Sequence, residues 1–168
     1  MTAQEIIDLL QLEILPHEGG YFRQTYKAAE RIAATALPTR YHQPMALSTA
    51  IYFMLTPAVF SAMHRLPSDE VYHFYLGDPV EMLLLHPDGD GETFTLGIDL
   101  LSGMRPQKVV PPAVWQGLCL RPGGPHGFAL IGTTMAPGFE WDGFELGDRA
   151  ALLAGYPDFT EMIEARLR

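Results

Sequence analysis

The sequence contains little cysteine, few charged residues and no long apolar run. Its single cysteine, Cys119, has no partner for an internal disulfide, which is typical of a reducing compartment. Only 18% of the residues are charged, and 20 acidic against 11 basic side chains give a net charge of −9. An acidic surface repels phosphate backbones and anionic lipid headgroups, so we expect neither nucleic-acid nor membrane-surface binding.

No segment approaches the roughly 18 consecutive apolar residues that a membrane span requires. Residues 1–14 have neither a basic start nor an uninterrupted apolar stretch, so we expect no signal peptide and a cytoplasmic location. The chain has 168 residues, of which 48% are hydrophobic. That length is sufficient to bury one sizeable core, and we predict a single domain spanning residues 1–168.

Short apolar runs separated by glycine and proline predict a mainly β fold. The predicted strands are 21–27, 48–55, 60–66, 70–76, 80–86, 92–98, 107–110, 114–121 and 128–135. Many short strands joined by polar turns are typical of a sandwich or a barrel, of which the jelly roll is one form. Residues 28–47 show no clear period and are predicted to form a loop with some helix.

A helix is predicted near each end of the chain. Thr2 and Glu5 have the spacing of a capping box, and an apolar face continues to about Leu12. At the other end, Asp158 is predicted to cap a short helix over residues 159–167.

The segment 64–77 contains the side chains that are best suited to chemistry. Alternation along strand 60–66 places Phe60, Ala62, His64 and Leu66 on one face, and Ser61, Met63 and Arg65 on the other. An apolar face that ends in one imidazole is expected of a barrel interior near its mouth. Glu70 begins the next strand, and Tyr72 shares its parity, so both are expected to point inward.

The orientation of His73 is open. It lies three positions after Glu70, so a regular strand directs it to the opposite face. A β-bulge would reverse this, and bulges occur next to active sites. Tyr52, in strand 48–55, is a second tyrosine candidate for the pocket. For Tyr52 and Tyr72 alike, packing in an amphipathic core is the alternative.

The turn 17–20 contains two adjacent glycines, which permit positive φ and a close approach of the backbone. Glu18 could therefore be held over the mouth of a pocket, with Arg23 as a nearby cation for an anionic ligand. The alternative is a tight turn into the first long strand that carries surface charges only.

These motifs together resemble the cupin superfamily, and specifically its fifth domain family, an RmlC-like group of largely uncharacterised function. The resemblance covers nearly the whole chain and rests on segments 16–22, 48–52, 64–77, 96–99, 109–111, 115–116 and 136–140. It implies a mainly β fold, the cupin double-stranded β-helix or jelly roll, with short N- and C-terminal helices. It also implies a homodimer.

The resemblance bears on metal binding as well. Metal-binding cupins hold a divalent ion with two histidines and a glutamate from the first motif and a histidine from the second. His64 and Glu70 match two of these positions, whereas Leu66 and Gln116 occupy the others. An amide oxygen is a poorer ligand than imidazole, and catalytic zinc sites usually keep three protein ligands. We therefore expect no cofactor, the alternative being a divalent metal held weakly by His64, Glu70 and Gln116.

Three functions from different classes are consistent with the sequence. The first is a metal-independent enzyme of the epimerase or isomerase type, acting on a small polar ligand that is sugar-like or anionic. His64 would be the base, Glu70 would orient it or share its proton, and Gln116 would bond the substrate. Epimerising cupins that act on nucleotide-linked keto-sugars use such a histidine with an acidic partner and a tyrosine.

The second function is a metal-dependent oxygenase or isomerase that uses His64, Glu70 and Gln116, with His73 as a further ligand. The third is a non-catalytic protein whose pocket serves recognition of a small molecule only. Fold alone does not choose among them, because cupins host unrelated activities. The ligand-binding candidates are Gln116, His73, Tyr72, Tyr52, Glu18 and Arg23.

Overall fold

The computed structural model describes residues 1–168 and consists mainly of two antiparallel sheets. The strands are β1 Glu13–Ile14, β2 Tyr21–Lys27, β3 Arg31–Ile32, β4 Met45–Ala46, β5 Thr49–Leu55, β6 Ser61–Arg65, β7 Glu70–Gly77, β8 Val80–Leu85, β9 Gly91–Leu96, β10 Gln107–Val110, β11 Trp115–Leu120, β12 Ala129–Met135 and β13 Glu145–Leu146. One sheet has the order β1-β2-β5-β12-β7-β10 and the other β13-β6-β11-β8-β9, while β3 pairs with β4 alone. The mainly β fold expected from the sequence is confirmed, and each predicted strand is present with ends that differ by no more than one or two residues.

The central strands bury side chains on both of their faces. In β8, Met82 and Leu84 lie in the core between the two sheets, whereas Leu83 and Leu85 pack on the outer side against the C-terminal helices. All four side chains are fully buried. Because both faces are covered, residues 82–85 of β8 are all apolar, without the alternation that a half-exposed strand shows.

The N-terminal helix α1, Ala3–Leu10, covers the outer face of the six-stranded sheet. Its predicted capping box is present. The Thr2 hydroxyl accepts from the Glu5 amide at 3.3 Å, and the Thr2 amide donates to the Glu5 carboxylate at 2.7 Å. These bonds satisfy two amides that a helix start leaves free. Ile6 of the helix packs in one apolar cluster with Met54 and Leu130 of the sheet.

The C-terminal end differs from the prediction. It contains two helices, α2 Arg149–Gly155 and α3 Thr160–Glu164, where one helix over 159–167 was expected. The capping aspartate is Asp148, whose side chain accepts from the Ala151 amide at 2.9 Å. Asp158 instead lies in a 3₁₀ turn, Pro157–Phe159, and α3 begins without a side-chain cap. The proline at the start of this turn separates the two helices.

Residues 28–47 form a loop with one short 3₁₀ helix, Ala34–Ala36, as the sequence predicts. The sequence did not predict the two-residue ladder of β3 and β4, which closes this loop on itself through the pairing of Arg31 with Ala46. None of the helices has both the length and the apolar character that crossing a bilayer requires.

Truncation of the core between the sheets is the first prediction. Leu84→Ala should lower the free energy of unfolding by about 2–5 kcal/mol, because it removes apolar contacts and leaves a cavity that the surrounding side chains fill only in part. Leu101→Ala, at a fully exposed loop position, should change it by less than about 0.5 kcal/mol. Urea denaturation of both variants measures the difference, and equal losses would contradict the described core.

Candidate functional site

A cavity of about 480 Å³ lies beside the core between the two sheets. Its walls come from β1, β2, β5, β6, β7 and β12 and from the segment that follows β12. The lining residues are Glu13, Leu15, Glu18, Phe22, Arg23, Gln24, Lys27, Thr49, Ile51, His64, Leu66, Glu70, Thr133, Met135, Phe139, Glu140 and Trp141. No residue of 28–47 belongs to this set, so that loop does not line the cavity.

His64 lies at the base of the cavity and is only 1% exposed. Its Nδ1 lies 2.8 Å from the carbonyl oxygen of Ala62. A carbonyl can only accept, so Nδ1 carries the hydrogen and the neutral ring has its lone pair on Nε2. Burial lowers the pKa of His64, an effect that Glu70 partly opposes, so the ring is neutral near pH 7.

Gln116 connects His64 to Glu70. Its side-chain nitrogen lies 3.2 Å from His64 Nε2 and 2.7 Å from a carboxylate oxygen of Glu70. The two amide hydrogens therefore serve both groups at once. Gln116 is itself 1% exposed and does not line the cavity, so the structure places it behind the two predicted catalytic residues rather than beside a ligand.

The backbone produces this arrangement in two ways. Two paired positions join β6 and β11, Ser61 with Leu118 and His64 with Gln116. They are three residues apart in β6 but two in β11, so β6 contains a bulge, and Gln116 lies directly opposite His64. In β7, regular alternation points both Glu70 and Tyr72 inward, as predicted, and the Tyr72 hydroxyl donates to Glu70 at 3.1 Å. Burial raises the pKa of Glu70, and the donated hydrogen bonds oppose that effect.

Glu18 lies in the turn before β2, where Gly19 and Gly20 both adopt positive φ. Its backbone carbonyl accepts from the Ala62 amide at 2.9 Å, which fixes the turn on the start of β6. The side chain is 12% exposed and faces His64, with 3.9 Å between a carboxylate oxygen and Nε2. Burial raises the pKa of Glu18 to about 7. The structure thus brings Glu18 to the site formed by His64 and Glu70.

The alternation rule placed Ser61 on the outer face, and this is wrong. The bulge in β6 turns it toward the cavity side, where its hydroxyl donates to Glu18 at 2.6 Å. A bulge of this kind has no reliable sequence signal, because it adds one residue without changing the residue types.

Three aromatic side chains that the sequence did not assign to the site cluster beside it, of which Phe139 and Trp141 line the cavity and Phe144 does not. Phe144 stacks on the His64 ring at 5.3 Å between centroids, and Trp141 contacts Phe144 edge to face at 5.3 Å. Phe139 meets Trp141 at 5.0 Å with the two ring planes 83° apart. Only Phe139 lies in segment 136–140, on which the family resemblance partly rests, and residues 139–144 have no strand period that would direct these rings inward.

Two cations lie on the wall, and both already have protein partners. Arg23 donates to the Leu10 carbonyl at 3.1 Å and to the Gln11 side chain at 2.9 Å, which holds its guanidinium at the end of α1. Lys27 forms an ion pair with Glu140 at 2.9 Å.

The structure does not bring His73 and Tyr52 to the cavity. His73 points to the outer face of the six-stranded sheet, where its ring bonds Thr134 at 3.2 Å. β7 does contain a bulge, but it falls at Tyr75, too late along the strand to turn His73 inward. Tyr52 lies on the same outer face, where it packs edge to face on the Tyr75 ring at 6.0 Å.

The donor set does not fit a divalent metal of the kind held by metal-binding cupins. Leu66 lines the cavity at the position of a histidine and offers no ligand atom. The lone pair of His64 Nε2 accepts from Gln116, whose amide nitrogen is no ligand for a metal. No group of three or more histidine, cysteine, aspartate or glutamate side chains is arranged to hold a metal ion.

Comparison with known proteins gives a consistent result. A family model described as "Cupin superfamily (DUF985)" matches residues 4–147. An uncharacterised protein of Saccharomyces cerevisiae is 29% identical over 153 residues, which span 84% of this chain and 73% of the yeast protein.

Solved structures agree over the full length of the chain. A protein from Shewanella oneidensis superimposes with a TM-score of 0.87 at 33% identity, covering 100% of this chain and 98% of its own. A hypothetical protein from Leishmania major gives 0.87 at 27% identity, with 99% of both chains covered. Bacillus subtilis oxalate decarboxylase gives 0.53 at 12% identity over 94% of this chain and 38% of its own, which shows a shared fold alone. The cupin jelly roll expected from the sequence is confirmed.

The raised pKa of Glu18 predicts a pH-dependent effect of Glu18→Gln. The folded protein keeps the Glu18 proton to about pH 7, whereas the unfolded chain loses it near 4.5, so ionisation opposes folding in this window. The variant cannot ionise. Its free energy of unfolding should rise relative to wild type by up to about 3 kcal/mol from pH 4.5 to 7 and stay level above.

Chemical denaturation at several pH values measures this difference. The control is Glu30→Gln, the same substitution at an exposed position outside the cavity, which should follow wild type throughout. A Glu18→Gln profile that is parallel to wild type would show that Glu18 has an ordinary pKa.

The bridge made by Gln116 gives a further prediction. Gln116→Met keeps the volume but removes both donated hydrogen bonds, so two buried acceptors lose a partner. The free energy of unfolding should fall by about 1–3 kcal/mol in urea denaturation. Gln107→Met, which removes an exposed amide bonded to His73, should cost less than about 0.5 kcal/mol. Equal effects would mean that the bridge adds no stability.

Proposed function

This chain belongs to the cupin superfamily, in its DUF985 family of unknown function, and from that premise we propose that it is a metal-independent enzyme of the isomerase or epimerase type. It binds a small polar ligand in the cavity and moves a proton on that ligand. The observation that carries the proposal is the juxtaposition of Glu18 and His64, 3.9 Å apart at the cavity base.

The pair suits proton transfer because burial acts on its members in opposite directions. It raises the pKa of Glu18 to about 7 and lowers that of His64. Near neutral pH the carboxyl group therefore exists in both protonation states, and the imidazole is neutral. An acid–base group works best when its pKa lies near the working pH, since both forms are then populated.

The groups have distinct roles in this mechanism. Glu18 exchanges a proton with the ligand, and His64 Nε2 acts as a second acceptor when it gives up its hydrogen bond from Gln116. If Nε2 takes a proton, the nearby Glu70 carboxylate stabilises the resulting imidazolium by its charge. Gln116 is a positioning residue, because it fixes His64 relative to Glu70 without lining the cavity.

A second candidate, a binding protein without catalysis, is favoured by one observation. The Nε2 lone pair of His64 already accepts a hydrogen bond from Gln116, so the ring is not free to take a proton unless that bond is given up. In this case the polar groups at the base recognise a ligand and do nothing further. The homodimer and the cytoplasmic location expected from the sequence stay predictions in either case.

Hydrogen exchange separates the two candidates without knowledge of the substrate. The protein is incubated in D₂O with a panel of small ketoses, aldoses and keto acids, and NMR follows deuterium uptake at carbons next to the carbonyl. An isomerase or epimerase that removes such a proton should catalyse uptake on at least one compound. Glu18→Gln should reduce the rate by at least about 100-fold, the usual contribution of an acid–base group.

Glu30→Gln is the matched control and should exchange at the wild-type rate. Uptake that persists in Glu18→Gln would reject Glu18 as the acid–base group. A panel compound that binds in the cavity without any exchange would favour the non-catalytic candidate.

A further inference from the structure

We propose that the ligand of this cavity carries a positively charged, alkylated ammonium group, which lies between the Glu18 carboxylate and the aromatic corner formed by Phe139 and Trp141. The inference concerns the same cavity as the proposed function and rests on it for the existence of a ligand. It goes further by assigning the charge class of that ligand.

The aromatic corner supplies the first argument. Phe139 and Trp141 both line the cavity, with ring centroids 5.0 Å apart and planes at 83°. The face of an aromatic ring is the negative side of its π-system and the edge is positive, so a cation is attracted where a ring face lines the cavity. Trp141 is 46% exposed, so part of its ring stays open although His17, Phe139 and Phe144 pack around it. Aromatic walls of this kind attract alkylated ammonium groups through cation–π interactions.

The charges on the wall supply the second argument. Four carboxylates line the cavity, those of Glu13, Glu18, Glu70 and Glu140. Of the two lining cations, Lys27 pairs with Glu140, and Arg23 is held by the end of α1. The partners of Arg23 are neutral, so it keeps its charge, but the four carboxyl groups still outnumber the two lining cations.

The surroundings of Glu18 decide whether its charge is already balanced. It is faced by the Ser61 hydroxyl, by neutral His64, by Glu70 and by the C-terminal Arg168. Arg168 is the only cation among these, and its guanidinium also lies over the Phe60 ring, 5.6 Å from the centroid. Its attraction does not offset burial, since the pKa of Glu18 is still raised. A ligand cation would supply the missing charge.

The same arrangement disfavours the anionic ligand that was one expectation from the sequence. An anion would enter a wall with an excess of carboxylates, inside a protein of net charge −9. Like charges in a partly desolvated cavity repel strongly, whereas a cation is attracted on the way in and inside.

Binding of a cation should be linked to loss of the Glu18 proton. The cation stabilises the carboxylate, so affinity should rise with pH while the free protein titrates, from about pH 6 to about pH 8. In Glu18→Gln this dependence should vanish, and affinity at the upper pH should fall.

Three compounds of one shape provide the direct test: choline, its neutral carbon analogue 3,3-dimethylbutan-1-ol, and the anion 3,3-dimethylbutanoate. Binding to the full-length protein is measured by NMR titration near pH 8. Choline should bind at least roughly tenfold more tightly than the neutral analogue, and the anion should bind least. Trp141→Leu should abolish the preference for choline, and Trp141→Phe should keep part of it. Trp141 is half exposed, so neither change should impair folding.

The inference is overturned if the anion binds most tightly, if the three bind equally, or if choline shows no binding at its highest usable concentration. It is also overturned if Trp141→Leu leaves the choline preference intact. None of these outcomes bears on deuterium uptake, so the cation inference can fail while the proposed proton transfer stands. Conversely, choline selectivity with no uptake on any compound would support the inference and leave a binding protein.

Discussion

The hydrogen bond from His64 Nδ1 to the Ala62 carbonyl is the interaction on which the rest of the site depends. It places the hydrogen on Nδ1, so Nε2 has only a lone pair to offer. The Gln116 amide must then present its nitrogen to Nε2, and its second hydrogen reaches Glu70. The Ala62 carbonyl thus sets the direction of the side-chain hydrogen bonds that link His64 on β6, Gln116 on β11 and Glu70 on β7.

The surrounding barrel makes these bonds necessary. Strands that are covered on both faces leave no water for a polar side chain, and an unpaired buried donor or acceptor costs about 1–3 kcal/mol. His64, Glu70 and Gln116 are nevertheless all buried. They are tolerated because each is hydrogen-bonded to another. The apolar walls that stabilise the fold are also what shifts the pKa values at the site.

Strand parity predicted the parts of this site that lie on regular backbone. Alternation placed Glu70 and Tyr72 inward, and the paired glycines indicated the turn that holds Glu18. It failed where the backbone is irregular, because the bulge in β6 turned Ser61 inward. At His73, where no bulge occurs, alternation directs the side chain outward, as the structure has it. Phe139, Trp141 and Phe144 belong to a segment without a repeating period. The direction of their rings therefore depends on tertiary contacts that the sequence does not display.

The Gln116 amide makes two hydrogen bonds through its nitrogen and leaves its oxygen unpaired. Its oxygen is buried and has no hydrogen-bond partner. Turning the amide over would place that oxygen against the Glu70 carboxylate and the lone pair of His64, two repulsive contacts in place of two bonds. One unsatisfied acceptor is therefore the smaller cost. With Leu66 in the wall and Nε2 occupied, Glu18 is the group that both lines the cavity and has its pKa raised by burial to about 7, and the proposed proton transfer is assigned to it for this reason.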